Sequence, residues 1–249
     1  MTELPPVVAR MWGREPGTRR GPRPRLDLAT ITAAAIEIAD ADGLAGVSMS
    51  GVAARVGVAP MALYRYVGSK DELLTIMADG AVPPPPERDG RSWRDYLVAW
   101  TRANRDLLLR RPWLLSLPGL DPPMGPRRLR WLDRALDALG DTPLGDGERF
   151  NVVTALTGYA LTDATLTHRM RTGGRGLDDA RITGAADYGA VLAEVLDPQA
   201  YPALSAMMRA GLLRESEGWT ADADFRFGLD LLLDGVEALI ARRAARPGA

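Results

Sequence analysis

The sequence predicts an all-α protein with two domains. Apolar residues recur at intervals of three and four along most of the chain, beginning with Leu28, Ile31, Ala35 and Ile38. Alternating runs bounded by hairpin turns, which would indicate strands, do not occur, and no internal repeat is present. Four consecutive prolines begin at Pro83, and a helix interior cannot contain them. We therefore expect a linker over 81–92 between the two domains.

The composition is ordinary for a globular protein, and we expect neither a metal site nor a cofactor. Composition leaves a carboxylate-rich Mg²⁺ or Ca²⁺ site open, but no ligand loop is visible. The chain has 249 residues, of which 46% are hydrophobic and 25% charged. No apolar run reaches the length of a membrane span, and no signal-peptide pattern precedes the first helix, so we expect a cytoplasmic protein with no membrane partner. The chain has no cysteine and a single histidine, His168, which excludes disulfides and zinc sites built from histidine and cysteine.

Four helices are predicted over 26–80. Asp27, Ser48 and Ser69 are suited to be N-caps, because their side-chain oxygens can accept hydrogen bonds from free helix amides. The expected bounds are Leu28 to Gly43, Ser48 to Gly57, Pro60 to Val67 and Ser69 to Gly80. Two short helices joined by a glycine turn are typical of a helix-turn-helix, whose second helix enters the major groove of DNA.

Several short motifs in this segment agree in order and spacing. They are Ser48-Met49, Val52-Ala53, Gly57-Val58, Leu63-Tyr64-Arg65-Tyr66-Val67 and Ser69-Lys70-Asp71-Glu72-Leu73. The stretch from Thr30 to Ala78 thereby resembles the DNA-binding domain of the TetR (tetracycline repressor)/AcrR family of transcriptional regulators. This resemblance implies a helix-turn-helix domain over 26–80 and a C-terminal helical ligand-sensing and dimerisation domain over 93–249. It also implies operator DNA as partner, a homodimer and a small-molecule effector.

The resemblance places the DNA contacts on three helices. The candidate residues are Ser48, Ser50, Pro60, Met61, Ala62, Tyr64, Arg65, Tyr66 and Lys70. Within this set, Tyr64 and Lys70 resemble the family residues that bind phosphate, and the amides that follow Ser48 can meet another phosphate. Packing is the alternative role for Tyr64 and Tyr66. Leu63 and Val67 are four residues apart and are expected in the core.

Base reading is expected to depend mainly on Arg65. Some family members carry an arginine at the position of Ser50, and serine is a weaker reader, so Arg65 is the best candidate for a guanine contact. Met61 and Ala62 have no strong hydrogen-bonding group and could read only a thymine methyl group or the shape of the groove.

Residues 1–25 are rich in proline, glycine and arginine, and we expect them to form a disordered basic arm. The net charge of the chain is only −1, but the position of positive charge matters more to a DNA-binding protein than its sum. Narrow minor grooves attract arginine, so the arm is a candidate for a groove contact. A plain solubilising tail is the alternative. The arginines concerned are Arg19, Arg20, Arg23 and Arg25.

The C-terminal domain is expected to contain six further helices and a dimer interface. The helical stripes cover 93–111, 129–139, 150–167, 188–196, 201–213 and 225–239. By resemblance, segments 147–169 and 222–243 would pack with their copies into a four-helix dimer bundle. Packing of these faces within one chain is the alternative. Small residues that permit close approach are Ala155, Gly158, Ala160, Gly228 and Gly235.

A ligand cavity in this domain would need apolar walls and a few polar groups. The candidate lining residues are Trp100, Asn104, Trp113, Met124, Trp131, Tyr159, Thr162 and Asp163. A place in the ordinary core or on the surface is the alternative for each one. Asn104 interests us most, because it interrupts an apolar stripe.

The resemblance implies a ligand-responsive regulator, in most cases a repressor that a small molecule releases from its operator. The ligand would favour a dimer whose two DNA-binding domains are wrongly spaced for DNA. The helix Ser69–Gly80, which joins the two domains of each subunit, would transmit this change. The alternatives are a ligand-independent regulator or an activator of the same fold. An enzyme is not expected, because the chain has no Gly-x-Ser-x-Gly nucleophile motif, phosphate-binding loop or dinucleotide fingerprint.

Overall fold

The computed structural model describes residues 4–14, 26–117, 122–172, 185–211 and 221–245. Within these ranges every regular element is helical, as predicted. The α-helices are α1 (Pro6–Met11), α2 (Leu28–Asp42), α3 (Met49–Arg55), α4 (Pro60–Leu63), α5 (Lys70–Gly80), α6 (Trp93–Arg110), α7 (Pro126–Ala138), α8 (Asp146–Thr172), α9 (Ala185–Val195), α10 (Pro202–Arg209) and α11 (Ala221–Ala244). Short 3₁₀ helices lie at Leu44–Gly46 and Pro112–Ser116. No helix of the described part is long and apolar enough to cross a membrane.

Helix α1 is the main departure from the predicted elements. Residues 1–25 were expected to lack regular structure, and this expectation is wrong for Pro6–Met11. Pro6 suits the first turn of a helix, and Val7 and Met11 pack against the core of α2–α5. A six-residue helix is not stable alone, so these tertiary contacts hold it in place.

Helices α2–α5 enclose a common apolar core. The caps predicted for these helices are present: the Asp27 carboxylate accepts a hydrogen bond from the Thr30 amide at 2.7 Å, and Ser48 and Ser69 cap α3 and α5 in the same way. Leu63 and Val67 are fully buried, which confirms their predicted place in the core.

The chain divides into two compact units, Met1–Val153 and Thr154–Ala249. Within the first unit, the proline segment is held against α6 and α7, because the Trp131 indole donates to the Pro83 carbonyl at 2.6 Å and the Tyr96 hydroxyl donates to the Pro86 carbonyl at 3.1 Å. Burial raises the pKa of Tyr96, so its hydroxyl remains a donor. The domain bounds expected from the sequence stay a prediction.

In the second unit, α11 contacts the part of α8 that follows Thr154. The rings of Tyr159 and Phe225 stack with centroids 5.4 Å apart, and the Tyr159 hydroxyl donates to the Phe225 carbonyl at 2.9 Å. A Cβ atom at Gly228 would overlap the Tyr159 ring, so glycine is needed for this approach. The buried stripe of α11 continues at Leu233, whereas the predicted Leu232 is on the exposed side.

Candidate nucleic-acid interface

The start of α3 has the geometry expected of a phosphate-facing helix end. The Ser48 hydroxyl accepts a hydrogen bond from the Gly51 amide at 3.1 Å, and its oxygen lies 3.3 Å from the Ser50 hydroxyl oxygen. Ser48 is half-buried and Ser50 is exposed. The Gly51 amide is used by this cap. The Met49 and Ser50 amides, which come before it in the first turn, have no acceptor within the helix and suit an anion that approaches from solvent.

A tight turn connects α3 to α4. Gly57 has a φ of 72°, a conformation that favours glycine, and it lets the Val58 amide donate back to the Ala53 carbonyl at 3.0 Å. Helix α4 begins directly afterwards at Pro60, whose missing amide costs nothing in a first turn. The turn therefore determines the orientation of α4 relative to α3.

Helix α4 is shorter than predicted but presents the expected face. Its regular part ends at Leu63 rather than at Val67, and single turns then complete the segment, with the Val67 amide donating to the Leu63 carbonyl at 2.9 Å. The side chains of Met61 and Tyr64 are 75% and 45% exposed, and Arg65 is exposed beside them. Two buried anchors thus hold a helix whose other side faces solvent.

Other candidates on this segment differ in exposure. Pro60 is exposed and Ala62 is half-buried. Tyr66 is half-buried and packs against the core of α2–α5, which supports the packing alternative for its ring. The arm residues Arg19, Arg20, Arg23 and Arg25 lie outside the described residues.

The start of α5 combines a cap with an exposed cation. The Ser69 hydroxyl accepts a hydrogen bond from the Glu72 amide at 3.1 Å, and the Glu72 carboxylate accepts one from the Gly68 amide. Lys70, the only lysine in the sequence, is exposed in this first turn. Its flexible stem and compact charge suit a phosphate contact. The fold thus gives Ser50, Met61, Tyr64, Arg65 and Lys70 exposed positions.

Sequence reasoning missed a reciprocal cap between α5 and α7. The Asp79 carboxylate, buried near the end of α5, accepts hydrogen bonds from the backbone amides of Arg127 at 3.2 Å and Arg128 at 2.8 Å. In return, the Arg127 guanidinium donates to the carbonyls of Gly80 at 3.2 Å and Val82 at 3.1 Å. Each helix end therefore satisfies free backbone groups of the other. The one sequence signal was that α7 begins at Gly125-Pro126 without a capping side chain of its own.

Trp113, a predicted ligand contact, belongs to the core of α2–α5. Its indole donates to the Asp40 carboxylate at 2.7 Å, and the Arg111 guanidinium pairs with the same carboxylate at 3.1 Å. The Arg111 side chain also donates to the Ala81 carbonyl at 2.7 Å. The indole is buried and hydrogen-bonded, so its evident role is to join the segment after α6 to α2.

The other ligand candidates occupy varied positions in the two units. Trp100 and Trp131 are buried, with ring centroids 5.8 Å apart, and the Trp100 indole donates to the Trp131 carbonyl at 3.0 Å. Asn104 is half-buried and Met124 is exposed. In the second unit, Tyr159 packs on Phe225 as described above, Thr162 is exposed and Asp163 is half-buried. Their role in ligand binding stays a prediction.

The second unit also carries exposed apolar side chains on its two long helices. Leu166 of α8 and Phe227 and Leu231 of α11 are 61%, 68% and 58% exposed. A Cβ atom at Gly158 or Gly235 would meet nothing within 4 Å. The segments predicted to form a dimer bundle therefore present open, apolar surface.

Comparison with known proteins agrees with this geometry. The model of bacterial regulatory proteins of the tetR family matches residues 31–75, and the model of the tetracyclin repressor-like C-terminal domain matches residues 84–240. The HTH-type transcriptional repressor DrrR1 of Streptomyces coeruleorubidus is 36% identical over 236 residues, covering 93% of this chain and 84% of that protein.

Solved structures share the fold. A possible TetR family transcriptional regulator from Streptomyces coelicolor A3(2) is 28% identical, with a TM-score of 0.66 over 86% of this chain and 100% of that one. The Streptomyces coelicolor TetR family protein ActR in complex with actinorhodin is 24% identical, with a TM-score of 0.67 over 86% of this chain and 97% of that one. The protein described here is thus a DNA-binding transcriptional regulator rather than an enzyme, and it belongs to the tetR family of bacterial regulatory proteins.

Proposed function

We propose that this protein is a cytoplasmic homodimeric repressor that inserts residues 60–67, the α4 segment, into the major groove of its operator and is released by a small molecule. The observation that carries the proposal is the two-sided character of this segment. Leu63 and Val67 anchor it in the core, while Met61, Tyr64 and Arg65 project into solvent. A helix displayed in this way can contact base edges without disturbing its own domain.

The neighbouring helix ends would position α4 on the duplex. The first turn of α3 after Ser48 and the exposed Lys70 of α5 lie on either side of the α4 segment in the chain, and each suits a phosphate. Arg65 is the strongest candidate for direct reading, because its guanidinium can form two hydrogen bonds with guanine. The phosphate contacts would set the register, and Arg65 would supply most of the sequence preference.

A homodimer would supply affinity that one short helix lacks. The exposed apolar residues of α8 and α11, notably Leu166, Phe227 and Leu231, suit burial against a second copy. The two DNA-binding domains of a dimer would bind two half-sites separated by about one or more turns of DNA. Linking them makes the second binding event intramolecular, which strengthens binding to the whole operator.

Release by an effector is supported by relatives and by the joint between α5 and α7. DrrR1 is named a repressor, and ActR has been solved with (S)-DNPA and with actinorhodin. In the present chain, the Asp79–Arg127 reciprocal cap ties the end of α5 to the start of α7. A ligand that bound better to a dimer with a shifted α7 would move α5, and with it α4, away from the geometry that DNA requires.

The proposal is tested by selecting bound fragments from genomic DNA with the purified protein and measuring its mass by sedimentation. We expect a short palindromic sequence to be enriched and the protein to sediment as a dimer. The double variant Tyr64→Ala/Arg65→Ala should enrich nothing, whereas the matched variant Asp133→Ala, altered at an exposed site on α7, should enrich the same sequence. A monomer, or equal enrichment by the Tyr64→Ala/Arg65→Ala variant, would contradict the proposal.

A further inference from the structure

Helix α1 lies outside the residues that the two family models match, 31–75 and 84–240. It is nevertheless packed into the first unit, because Val7 and Met11 are part of the apolar cluster of α2–α5. Because α1 contributes to this core, we expect it to restrict the movement of the helices that it contacts. Its polar contacts show which helices these are.

On one side, α1 reaches the end of the α4 segment. The Arg10 guanidinium forms an ion pair with the Glu72 carboxylate in the first turn of α5. The same carboxylate accepts the hydrogen bond from the Gly68 amide, and Gly68 directly follows the buried anchor Val67. The side chains of Arg10 and Glu72 are both largely shielded from water, so their attraction is screened less than that of a surface pair.

On its other side, α1 reaches the start of α7. The Trp12 indole donates to the Met124 carbonyl at 2.8 Å. The Met11 methyl group lies so close to Gly125, the N-cap residue of α7, that a Cβ atom there would overlap both Met11 and the Asp79 side chain. The reciprocal cap between α5 and α7 therefore has α1 packed against it.

We infer that α1 is a positioning clasp, formed by Arg10, Met11 and Trp12, that fixes the α4 segment relative to α7 and so restricts the half-site spacing that the dimer accepts. Adding one base pair between two half-sites moves one of them by about 3.4 Å and rotates it by about 34°. If the α4 segment is held rigidly relative to α7, it cannot follow this displacement and binding free energy is lost. If that contact is loosened, the segment can follow the displaced half-site at a lower cost in binding free energy. The inference rests on the proposed dimeric DNA-binding function.

The test compares operators that differ only in spacing. The duplex selected by the wild-type protein is changed by one base pair more and one fewer between its half-sites, and dissociation constants are measured at fixed salt. We expect the wild-type protein to lose about tenfold or more in affinity for either change, because a displaced half-site loses at least one base-reading contact. The clasp variant Arg10→Ala/Trp12→Phe has neither polar contact, so its α4 segment can follow the changed spacing more easily and the affinity should fall by less than about threefold. The variant retains the Val7 and Met11 packing, which keeps α1 in place.

The ratio between operators separates positioning from simpler effects. A general loss of charge or stability weakens binding to every spacing by the same factor and leaves the ratio unchanged. Leu4→Ala is the control, since Leu4 is an exposed apolar side chain next to α1, and its ratio should equal that of the wild type. If the double variant does not fold, Trp12→Phe alone gives the same comparison with only the indole hydrogen bond removed.

Two results would overturn the inference alone: a spacing ratio in the clasp variant equal to that of the wild type, or a wild-type protein that tolerates all three spacings equally. A wild-type protein that selects no DNA would refute the proposed function, and this inference with it.

Discussion

Replacing Asp79 by alanine tests the joint between α5 and α7. The Asp79 side chain is 5% exposed and accepts two backbone hydrogen bonds at the start of α7, which has no capping side chain of its own. The Asp79 carboxylate is itself the cap of α7, so loss of the cap and the two amides left without their acceptor are a single cost, of about 1–3 kcal/mol. We therefore expect Asp79→Ala to lower the free energy of unfolding by about 1–3 kcal/mol.

The assay is urea unfolding followed by tryptophan fluorescence, at one protein concentration because the stability of a dimer depends on it. Asp79→Asn retains one acceptor oxygen and should lose less stability than Asp79→Ala. The control Asp133→Ala, at an exposed position of α7, should remain within about 0.5 kcal/mol of the wild type. If Asp79→Ala also remained within that margin, the reciprocal cap would not contribute as described.

Three further predictions concern DNA binding and assembly. Lys70→Ala should reduce the slope of log affinity against log salt by about 1.8, since each subunit would lose one phosphate contact; an unchanged slope would exclude that contact. Replacing thymine by uracil in the operator should weaken wild-type binding by about fourfold for each methyl group that Met61 covers, and Met61→Ala should abolish this effect; equal sensitivity in both proteins would refute the contact. Leu231→Glu should yield monomers by sedimentation, whereas Leu4→Glu should leave the dimer intact; a dimeric Leu231→Glu protein would place the interface elsewhere.

The elements around the DNA-binding segment could be predicted because their determinants are local. Asp27, Ser48 and Ser69 each cap a helix that begins at the next residue, and such caps act over three residues. The four-residue spacing of Leu63 and Val67 correctly predicted their burial. The exposed positions of Met61, Tyr64 and Arg65 follow from the same helical period.

The missed features depend on contacts between distant parts of the chain. Helix α1 has six residues, and its stability comes from packing on helices that follow it by many residues. Asp79 and Arg127 are 48 residues apart, and neither carries a local pattern that predicts a partner. On α11, Leu232 and Leu233 are equally apolar, and the buried one is Leu233, which shares a helix face with the buried Phe225 and Leu229. The face of α11 that is buried depends on its packing against α8, where Tyr159 stacks on Phe225.

The proposed function requires that the exposed side of the α4 segment reads base sequence, mainly through Arg65. It is tested most directly by repeating the operator selection with Arg65→Gln, because arginine pairs with guanine and glutamine with adenine. We expect the enriched sequence to change from guanine to adenine at one symmetric position in each half-site and to be unchanged elsewhere. If Arg65→Gln selected the same sequence as the wild type with the same affinity, the α4 segment would not read bases through Arg65, and the proposed mode of recognition would be wrong.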